Sequence, residues 1–399
     1  MTASPRGSAR LALTIFTLAA SAPLAAQLPV GVRDVAFANP TGQGSTTLTA
    51  RVHYPATSAG MTTPIATAPG GLPVLLFLHG FAALGRWHTA LGDAFAGRGY
   101  VAVLMDTAQF SAPTQVSDGL AWFPALQAAN AAGSGSFLEG ALDMSRVAVG
   151  GHSMGGGSTV NVLAQNPGYA AGFALAPVPA ASARDVDVPF VVVHGTGDGI
   201  VPSSSGESVF AALTAFTGIK ALVLLNDDCD HLNVTGLFLS GSVAQEVWDR
   251  TARVLLGLAD AFLLGDTAGL EETVGATARA EPRLVRLDVA VEAPQAWLAQ
   301  AAPPGGTARV EVLGEPGPAA LLAAATSGRV PTPYGTLLLD PATLLVVTAG
   351  TAAAERRFSV PLPIPAEPAL AGLTVPLQGV ALGIAATLRL TGGADLRIE

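Results

Sequence analysis

Cysteine and charged residues are both scarce in this sequence of 399 residues. Cys229 is the single cysteine, so no disulfide can form within the chain. Charged residues make up only 12%, and 20 Lys and Arg against 29 Asp and Glu leave a formal net charge of −9. The sequence shows no basic cluster, which argues against nucleic acid as a partner. Hydrophobic residues reach 50%, a share that permits a sizeable core and argues against intrinsic disorder.

Motifs for metals, cofactors and membrane spans are missing as well. The sequence has no His-Glu-x-x-His motif, no paired cysteines and no EF-hand loop. It also has no Gly-x-Gly-x-x-Gly placed after a strand, as dinucleotide binding requires. We therefore expect no metal and no cofactor. The apolar run at residues 11–24 is too short for a membrane span, and no later run is longer, so we expect no transmembrane segment.

The first residues have the pattern of a secretory signal peptide. Arg6 and Arg10 precede the apolar run 11–24, and small residues follow at 25–26. A basic region, a short apolar region and small residues at the cleavage site are the three parts of such a peptide. We expect residues 1–26 to be removed and the protein to be secreted, as an extracellular or cell-surface protein.

Short apolar runs alternate with helical segments as far as residue 264. Continuous apolar runs predict buried parallel strands, because such strands are covered by helices on both faces. The predicted strands are 74–78, 100–105, 146–149, 170–175, 190–193 and 221–225. Helical periodicity over 242–264 predicts a closing helix. We predict an α/β domain over residues 27–265, with a mostly parallel sheet.

The pattern changes beyond residue 265. We predict a linker over 266–283, and from 284 the hydrophobic period shortens towards two, with frequent Pro and Gly turns. Short strands are predicted at 285–289, 309–313, 336–339, 344–347, 357–360 and 387–390. Several short strands at this spacing are typical of a β-sandwich. We predict an all-β, sandwich-like accessory domain over 284–399.

The segment around Ser153 carries the strongest chemical signal. Ser153 is the centre of a Gly-His-Ser-Met-Gly sequence that follows the apolar residues 147–149 and precedes a helical segment. Strand, Gly-x-Ser-x-Gly and helix form the context of a nucleophile elbow, a tight turn that exposes the serine hydroxyl. Gly151 and Gly155 are expected where a Cβ would collide with neighbouring backbone. The pattern predicts Ser153 as a nucleophile.

A serine hydroxyl needs a base, and the base needs a carboxylate to orient it. In hydrolases with such an elbow the chain order is serine, acid, histidine. Asp198 follows the predicted strand 190–193, and His231 follows the predicted strand 221–225. Order and placement match, so we predict Asp198 as the acid and His231 as the base. Weaker alternatives are His79 and His152 for the base, Asp106, Asp228 and Asp230 for the acid, and Cys229 for the nucleophile.

Acyl transfer also requires hydrogen-bond donors for the oxyanion that develops on the substrate. Met154, the residue after the nucleophile, supplies one backbone N–H. Phe81, in the loop after the strand 74–78, supplies the second. We predict that the side chains of Phe81, Trp87 and Met154 also line the substrate pocket.

From residue 53 to about residue 264 the sequence resembles the bacterial cutinase and polyethylene terephthalate hydrolase group, within the dienelactone-hydrolase-like α/β-hydrolases. The matching segments are 53–55 (His-Tyr-Pro), 80–82 (Gly-Phe-Ala), 99–101 (Gly-Tyr-Val), 106–107 (Asp-Thr), 151–157 (Gly-His-Ser-Met-Gly-Gly-Gly), 188–189 (Val-Pro), 197–198 (Gly-Asp), 201–202 (Val-Pro) and 230–231 (Asp-His). The resemblance implies an α/β-hydrolase fold and an open site for bulky esters. It also implies Ser153, Asp198 and His231 as nucleophile, acid and base. The oxyanion donors that it implies are the N–H groups of Phe81 and Met154.

The chain departs from that group at the substrate site. Polyester-cleaving relatives place a tryptophan after an Ala-Pro pair to stack on aromatic substrate. Here Ala176 and Pro177 are followed by Val178, which we take as the corresponding substrate-binding residue. The tail resembles β-rich C-terminal modules of secreted bacterial proteins, which implies attachment to a surface, surface binding or sorting.

These features predict a secreted serine carboxylic-ester hydrolase that acts through an acyl-enzyme and is similar to cutinases and polyester hydrolases. Three alternatives stay open. The first is an esterase for small molecules or lipids, similar to platelet-activating-factor acetylhydrolases. The second is a peptidase or thioesterase that uses the same triad. The third is a non-catalytic surface-binding protein with a vestigial hydrolase core.

Overall fold

The computed structural model describes residues 27–165, 167–180 and 182–399. The predicted signal peptide lies outside these residues. The strands as far as residue 291 are β1 Val30–Ala38, β2 Thr47–Pro55, β3 Gly60–Met61, β4 Leu72–Leu78, β5 Val101–Met105, β6 Leu142–His152, β7 Ala171–Leu175, β8 Phe190–Gly195, β9 Ile219–Leu225 and β10 Leu284–Val291. The helices are α1 Thr89–Arg98, α2 Ala112–Asn130, α3 Met154–Leu163, α4 Ser203–Ala212, α5 Gly241–Ala259, α6 Leu270–Thr273 and α7 Ala276–Arg279.

These ten strands form one sheet in the order β10-β9-β8-β7-β6-β4-β5-β2-β1-β3. The six strands from β9 to β5 in that order are parallel, and β10 and β2 extend the sheet with antiparallel pairs. Every residue of β4 and β5 is buried, because helices cover both faces of these central strands. Helices α2, α3 and α4 pack on one face, and α1 and α5 pack on the other. The predicted α/β architecture is confirmed. In the part of the chain that the structure describes, no helix is long and apolar enough to cross a membrane.

The C-terminal part consists of antiparallel sheets. Its strands are β11 Gln295–Gln300, β12 Thr307–Leu313, β13 Glu315–Ala323, β14 Ser327–Thr332, β15 Gly335–Leu339, β16 Leu345–Ala352, β17 Arg357–Pro363, β18 Thr374–Leu382 and β19 Leu388–Arg397. One sheet has the order β11-β12-β17, a second has β16-β13-β18-β19, and β14 and β15 form a hairpin. Apolar side chains from the first two sheets, among them Val310, Leu321 and Leu377, form one buried cluster. The two sheets therefore share a core.

The strand over Leu284–Val291 differs from the sequence-based assignment. We expected it to open the accessory domain, but it pairs with β9 and is an edge strand of the large sheet. The segment 266–283, expected as a linker, contains the helices α6 and α7. An alternating pattern identifies a strand but not its pairing partner, which is why the sequence placed this strand wrongly. The remaining division into domains stays a prediction.

Trp297 in β11 joins the C-terminal strands to the helical part of the chain. Its side chain is fully buried and belongs to the apolar cluster under α1 and α5. Its indole Nε1 donates to Glu271 Oε2 at 2.9 Å, and Arg309 donates to the other oxygen of the same carboxylate at 3.3 Å. One buried carboxylate therefore links α6 to two strands of the C-terminal sheets.

Changing Trp297 to alanine is expected to lower the free energy of unfolding by about 3–5 kcal/mol, because it opens a large cavity in this cluster. Urea denaturation of the full chain measures the change. Tyr334→Ala is the matched control, since Tyr334 lies in the β14–β15 turn and is 55% exposed; its effect should stay within about 0.5 kcal/mol. Equal, small effects for both variants would contradict the contribution of the buried Trp297 side chain to this cluster.

Candidate active site

Ser153 lies at a sharp turn between β6 and α3. Its backbone has φ 56° and ψ −118°, a conformation that non-glycine residues rarely adopt and that costs energy. A Cβ on Gly155 would lie 2.1 Å from the carbonyl oxygen of Leu78, and one on Gly151 would lie 2.3 Å from that of Gly155. Both positions therefore require glycine, as the sequence predicted. The turn has the geometry of a nucleophile elbow.

Asp198 and His231 meet in the loops that follow β8 and β9. The Nδ1 atom of His231 lies 2.7 Å from Oδ2 of Asp198. The other carboxylate oxygen accepts 2.8 Å hydrogen bonds from the backbone N–H groups of Ile200 and Val201. Burial alone would raise the pKa of Asp198, but these bonds from His231 and the two N–H groups outweigh it, so the pKa lies below its usual value. Asp198 is therefore an ionised partner that holds the proton of His231 on Nδ1, which leaves Nε2 to accept a proton.

His152 connects the nucleophile turn to the base. It immediately precedes Ser153, and its Nε2 lies 2.8 Å from the backbone oxygen of His231. The two imidazole rings are 4.5 Å apart between centroids. Burial lowers the pKa of His152 well below its usual value, so the ring is neutral and donates through Nε2. The structure thus places His231 in contact with Asp198 and with the residue that precedes Ser153. The roles of these three residues stay a prediction.

The loop after β4 lies directly beside the nucleophile. A Cβ on Gly80 would be 3.4 Å from the Cβ of Ser153, and Phe81 is the next residue. Met154 begins α3, so its N–H belongs to the first helical turn, where N–H groups have no partner within the helix. The loop and the helix start flank Ser153, as two oxyanion donors must. Their donor role stays a prediction.

The predicted substrate residues lie in different surroundings. Phe81 is 64% exposed and makes an edge-to-face contact with Phe110, with ring centroids 5.5 Å apart. Val178 is half-buried and donates from its N–H to the backbone oxygen of Ser153 at 3.1 Å. Because β4 and β7 lie on opposite sides of β6, Phe81 and Val178 flank the nucleophile from opposite sides. Met154 is buried next to it.

Trp87 stands apart from this group. It ends a 3-10 turn, Gly85–Trp87, that packs against β2 and β5. In the sheet order β5 is separated from β6 by β4. The substrate role of Trp87 stays a prediction.

Two neighbours of the site were not predicted from the sequence. His194, fully buried at the end of β8, has its Nε2 3.2 Å from Oδ2 of Asp198 and 3.0 Å from the oxygen of Val201. It lies four residues before Asp198, at the end of the strand that precedes the Asp198 loop. This position is the signal that could have identified it. Phe110 was missed because it lies in the loop after β5, where no motif marks it.

The cysteine alternative lacks structural support. Cys229 is buried, and burial, followed by the charges of Asp230 and Asp198, raises the pKa of its thiol. A reactive cysteine needs a lowered pKa. Among the described residues, no group of three or more His, Cys, Asp or Glu side chains is placed to hold a metal ion.

A sheet of this order with a strained serine turn and an acid–histidine pair in the following loops defines an α/β-hydrolase. Comparison with known families gives a match to the PET hydrolase-like family (PETase) over residues 19–236. This match covers more than half of the chain, and the chain belongs to that family.

Two curated relatives are similar to part of this chain. Cutinase est1 of Thermobifida alba is 31% identical over 143 residues, which cover 34% of this chain and 46% of that protein. Bis(hydroxyethyl) terephthalate hydrolase of Streptomyces coelicolor is 30% identical over 165 residues, which cover 41% of this chain and 52% of that protein. The chain spans about half the length of the curated relatives it matches.

Proposed function

We propose that this protein is a serine carboxylic-ester hydrolase that acts through an acyl-enzyme. One observation carries the proposal: His231 bonds to Asp198 at 2.7 Å in the loops beside a serine held in a strained turn. A binding protein needs none of these three groups in this arrangement. Strain of this kind persists where the surrounding structure maintains it, and it is concentrated at active sites.

Each group then has a chemical task. His231 Nε2 takes the proton of Ser153 as the serine oxygen attacks the ester carbonyl carbon, and the N–H groups of Phe81 and Met154 stabilise the oxyanion. The tetrahedral intermediate collapses, and the alcohol leaves with the proton from His231. Water then gives a proton to His231 and attacks the acyl-enzyme. The acid is released, and the proton returns to Ser153. Asp198 stabilises each imidazolium that forms.

We further propose that bulky and polymeric esters are the substrates. The names of the two relatives, a cutinase and a hydrolase of bis(hydroxyethyl) terephthalate, support this proposal. The exposed Phe81 and Phe110 add an apolar surface next to the nucleophile. Val178, in place of a tryptophan, leaves the opposite side open.

Secretion and the role of the C-terminal sheets are separate proposals. We propose that residues 1–26 direct export and are cleaved, so that the N-terminus of protein recovered from the culture medium begins near Gln27. We also propose that the C-terminal sheets form a sandwich-like unit that attaches the enzyme to a surface. Recovery of protein that retains residues 1–26 would contradict the first of these proposals.

The direct test of the activity compares three butyrate substrates that differ in the bond cleaved. The purified full chain is assayed on p-nitrophenyl butyrate, the matched thioester and the matched anilide. We expect the oxyester to be cleaved and the anilide to be cleaved far more slowly. Folded protein without activity on the oxyester, or with a clear preference for the anilide, would overturn the proposed class.

Changing Phe81 to alanine is expected to lower kcat/KM for p-nitrophenyl benzoate about 5- to 10-fold relative to p-nitrophenyl acetate. An aromatic contact adds about 0.5–1.5 kcal/mol beyond the area that it buries, and the backbone N–H of residue 81 is retained. Tyr334→Ala, which removes an exposed ring far along the chain, is the control. An unchanged benzoate-to-acetate ratio in the Phe81 variant would remove this side chain from the substrate site.

A further inference from the structure

His79 is a buried histidine at the end of β4, and the catalytic steps above do not use it. Its side chain has no solvent exposure. Its Nδ1 lies 2.8 Å from the backbone oxygen of Gly80, and its Nε2 lies 3.0 Å from the backbone oxygen of Thr107. Carbonyl oxygens only accept hydrogen bonds, and a neutral imidazole has a single N–H, so it can donate to only one of these two oxygens. The shorter of the two contacts, at 2.8 Å, is the one from Nδ1 to Gly80. The contact with Gly80 bears on the active site, because the oxygen of Gly80 and the N–H of Phe81 belong to the same peptide group.

The Gly80–Phe81 peptide has its oxygen at one end and the proposed oxyanion donor at the other. A trans peptide is planar, so its C=O and its N–H point in opposite directions. Hydrogen bonds that fix the oxygen of Gly80 therefore also fix the direction of the N–H of Phe81. This oxygen accepts from the N–H of Ala83 at 3.2 Å, and the contact with His79 Nδ1 is the shorter of the two. The same bond draws electron density towards the oxygen and makes the N–H a stronger donor, since linked hydrogen bonds polarise one another.

Several contacts keep this peptide in place. Gln115 donates from Nε2 to the backbone oxygen of His79 at 3.0 Å, so the histidine is held through its backbone as well as its ring. On the other side of Phe81, the N–H of Ala82 donates to the oxygen of Gln109 at 2.8 Å. Ala82 has φ 58°, a conformation that non-glycine residues rarely adopt. The peptide is therefore ordered before any substrate binds, which is the condition for effective oxyanion stabilisation.

We infer that His79 is a positioning residue for the oxyanion site: its Nδ1–H donates to Gly80 O and thereby orients and polarises the N–H of Phe81. The inference rests on the proposed ester hydrolysis. His79 does not contact the substrate, and its effect is transmitted through one peptide group. The bond matters most when the oxyanion forms, so its loss lowers kcat and leaves KM largely unchanged.

Two amide substitutions separate the two ring nitrogens. In His79→Asn the amide nitrogen takes the place of Nδ1 and keeps the donor towards Gly80. In His79→Gln the amide nitrogen takes the place of Nε2 and keeps only the contact with Thr107. We expect the glutamine variant to lose about 10- to 100-fold in kcat on p-nitrophenyl butyrate, less than the 10²- to 10³-fold typical when an oxyanion donor is removed altogether. The asparagine variant should stay within about fivefold of the wild type, and KM should change less than twofold in both.

A trifluoromethyl ketone gives a second readout, because its hemiketal with the serine places an oxyanion in the same site. Its inhibition constant should rise in the glutamine variant in proportion to the loss of kcat/KM, whereas a general loosening of the fold would raise KM as well. Thermal unfolding of each variant confirms that it is folded. Equal losses in the asparagine and glutamine variants, or full kcat in the glutamine variant, would overturn the inference.

A measurement on the unmodified protein covers the case in which a variant fails to fold. The ¹⁵N chemical shifts of the His79 ring show which nitrogens carry protons. A protonated Nδ1 is required, and an unprotonated Nδ1 would overturn the inference without any substitution. Hydrolysis that is lost in Ser153→Ala but unchanged in His79→Gln would refute this inference and leave the proposed function standing. Absence of any hydrolysis that depends on Ser153 would refute the proposed function and the inference with it.

Discussion

Replacing Ser153 with alanine is expected to lower kcat on p-nitrophenyl butyrate by about 10⁶-fold while leaving the fold intact. The oxygen of Ser153 is the atom that forms the acyl-enzyme, and no neighbouring group can replace it. Cys229, the alternative nucleophile from the sequence, is buried, and the pKa of its thiol is raised. Steady-state kinetics measures the loss, and circular dichroism checks that the variant is folded.

A serine five residues further along provides the matched control for this substitution. Ser158 is buried in α3, and its Oγ makes no hydrogen bond within the part of the chain that the structure describes. Ser158→Ala should therefore retain activity within a fewfold of the wild type. A Ser153→Ala variant that retains substantial activity would show that the elbow serine is not the nucleophile.

Asp198→Asn is expected to lower kcat by about 10⁴-fold, with KM nearly unchanged. Asparagine keeps the size of the side chain but loses the negative charge that stabilises the His231 imidazolium. Its amide can also present an N–H to His231 Nδ1, which would favour the wrong tautomer. Steady-state kinetics at neutral pH measures the effect.

Asp228→Asn is the control for the acid, since Asp228 was a weaker candidate from the sequence. Its side chain is close to Arg283 and Asn226, not to the base, and its loss should change kcat only slightly. Activity that falls with Asp228 and survives in Asp198→Asn would reverse the assignment of the acid.

The lowered pKa of Asp198 has a consequence for stability. A carboxyl whose pKa is depressed by folding stabilises the folded state above its unfolded pKa, near 3.9, and this contribution disappears as the pH falls through the folded pKa. The difference in unfolding free energy between wild type and Asp198→Asn should therefore shrink below about pH 4. A difference that stays constant from pH 7 to pH 3 would contradict the lowered pKa.

The sequence predicted the parts of the site that follow strands closely. Ser153, Asp198 and His231 each stand within a few residues of an apolar run, and the carboxyl ends of parallel strands meet at one edge of the sheet. Gly151 and Gly155 could be predicted because a tight turn leaves no space for a Cβ. These are local rules, and a single sequence is enough to apply them.

Other features depend on which distant segments pair, and the sequence does not carry that information in a readable form. The alternation in Leu284–Val291 was recognised as a strand, yet its pairing with β9 was not. The burial of Trp297 in the apolar cluster that also contains residues of α1 and α5 could not be predicted either, because the strand before it was assigned to the wrong sheet. Contacts such as Phe81 with Phe110, and His152 with the backbone of His231, join loops that are remote in sequence and carry no motif.

Labelling with a fluorophosphonate tests the central claim most directly, because this reagent reacts with a serine only where a base and an oxyanion site activate it. The full chain is treated with the probe, digested and examined by mass spectrometry. The proposed mechanism predicts one adduct per chain, on the peptide that contains Ser153, with loss of hydrolysis in proportion to labelling. An adduct on another residue, or hydrolysis that persists in a fully labelled protein, would contradict it.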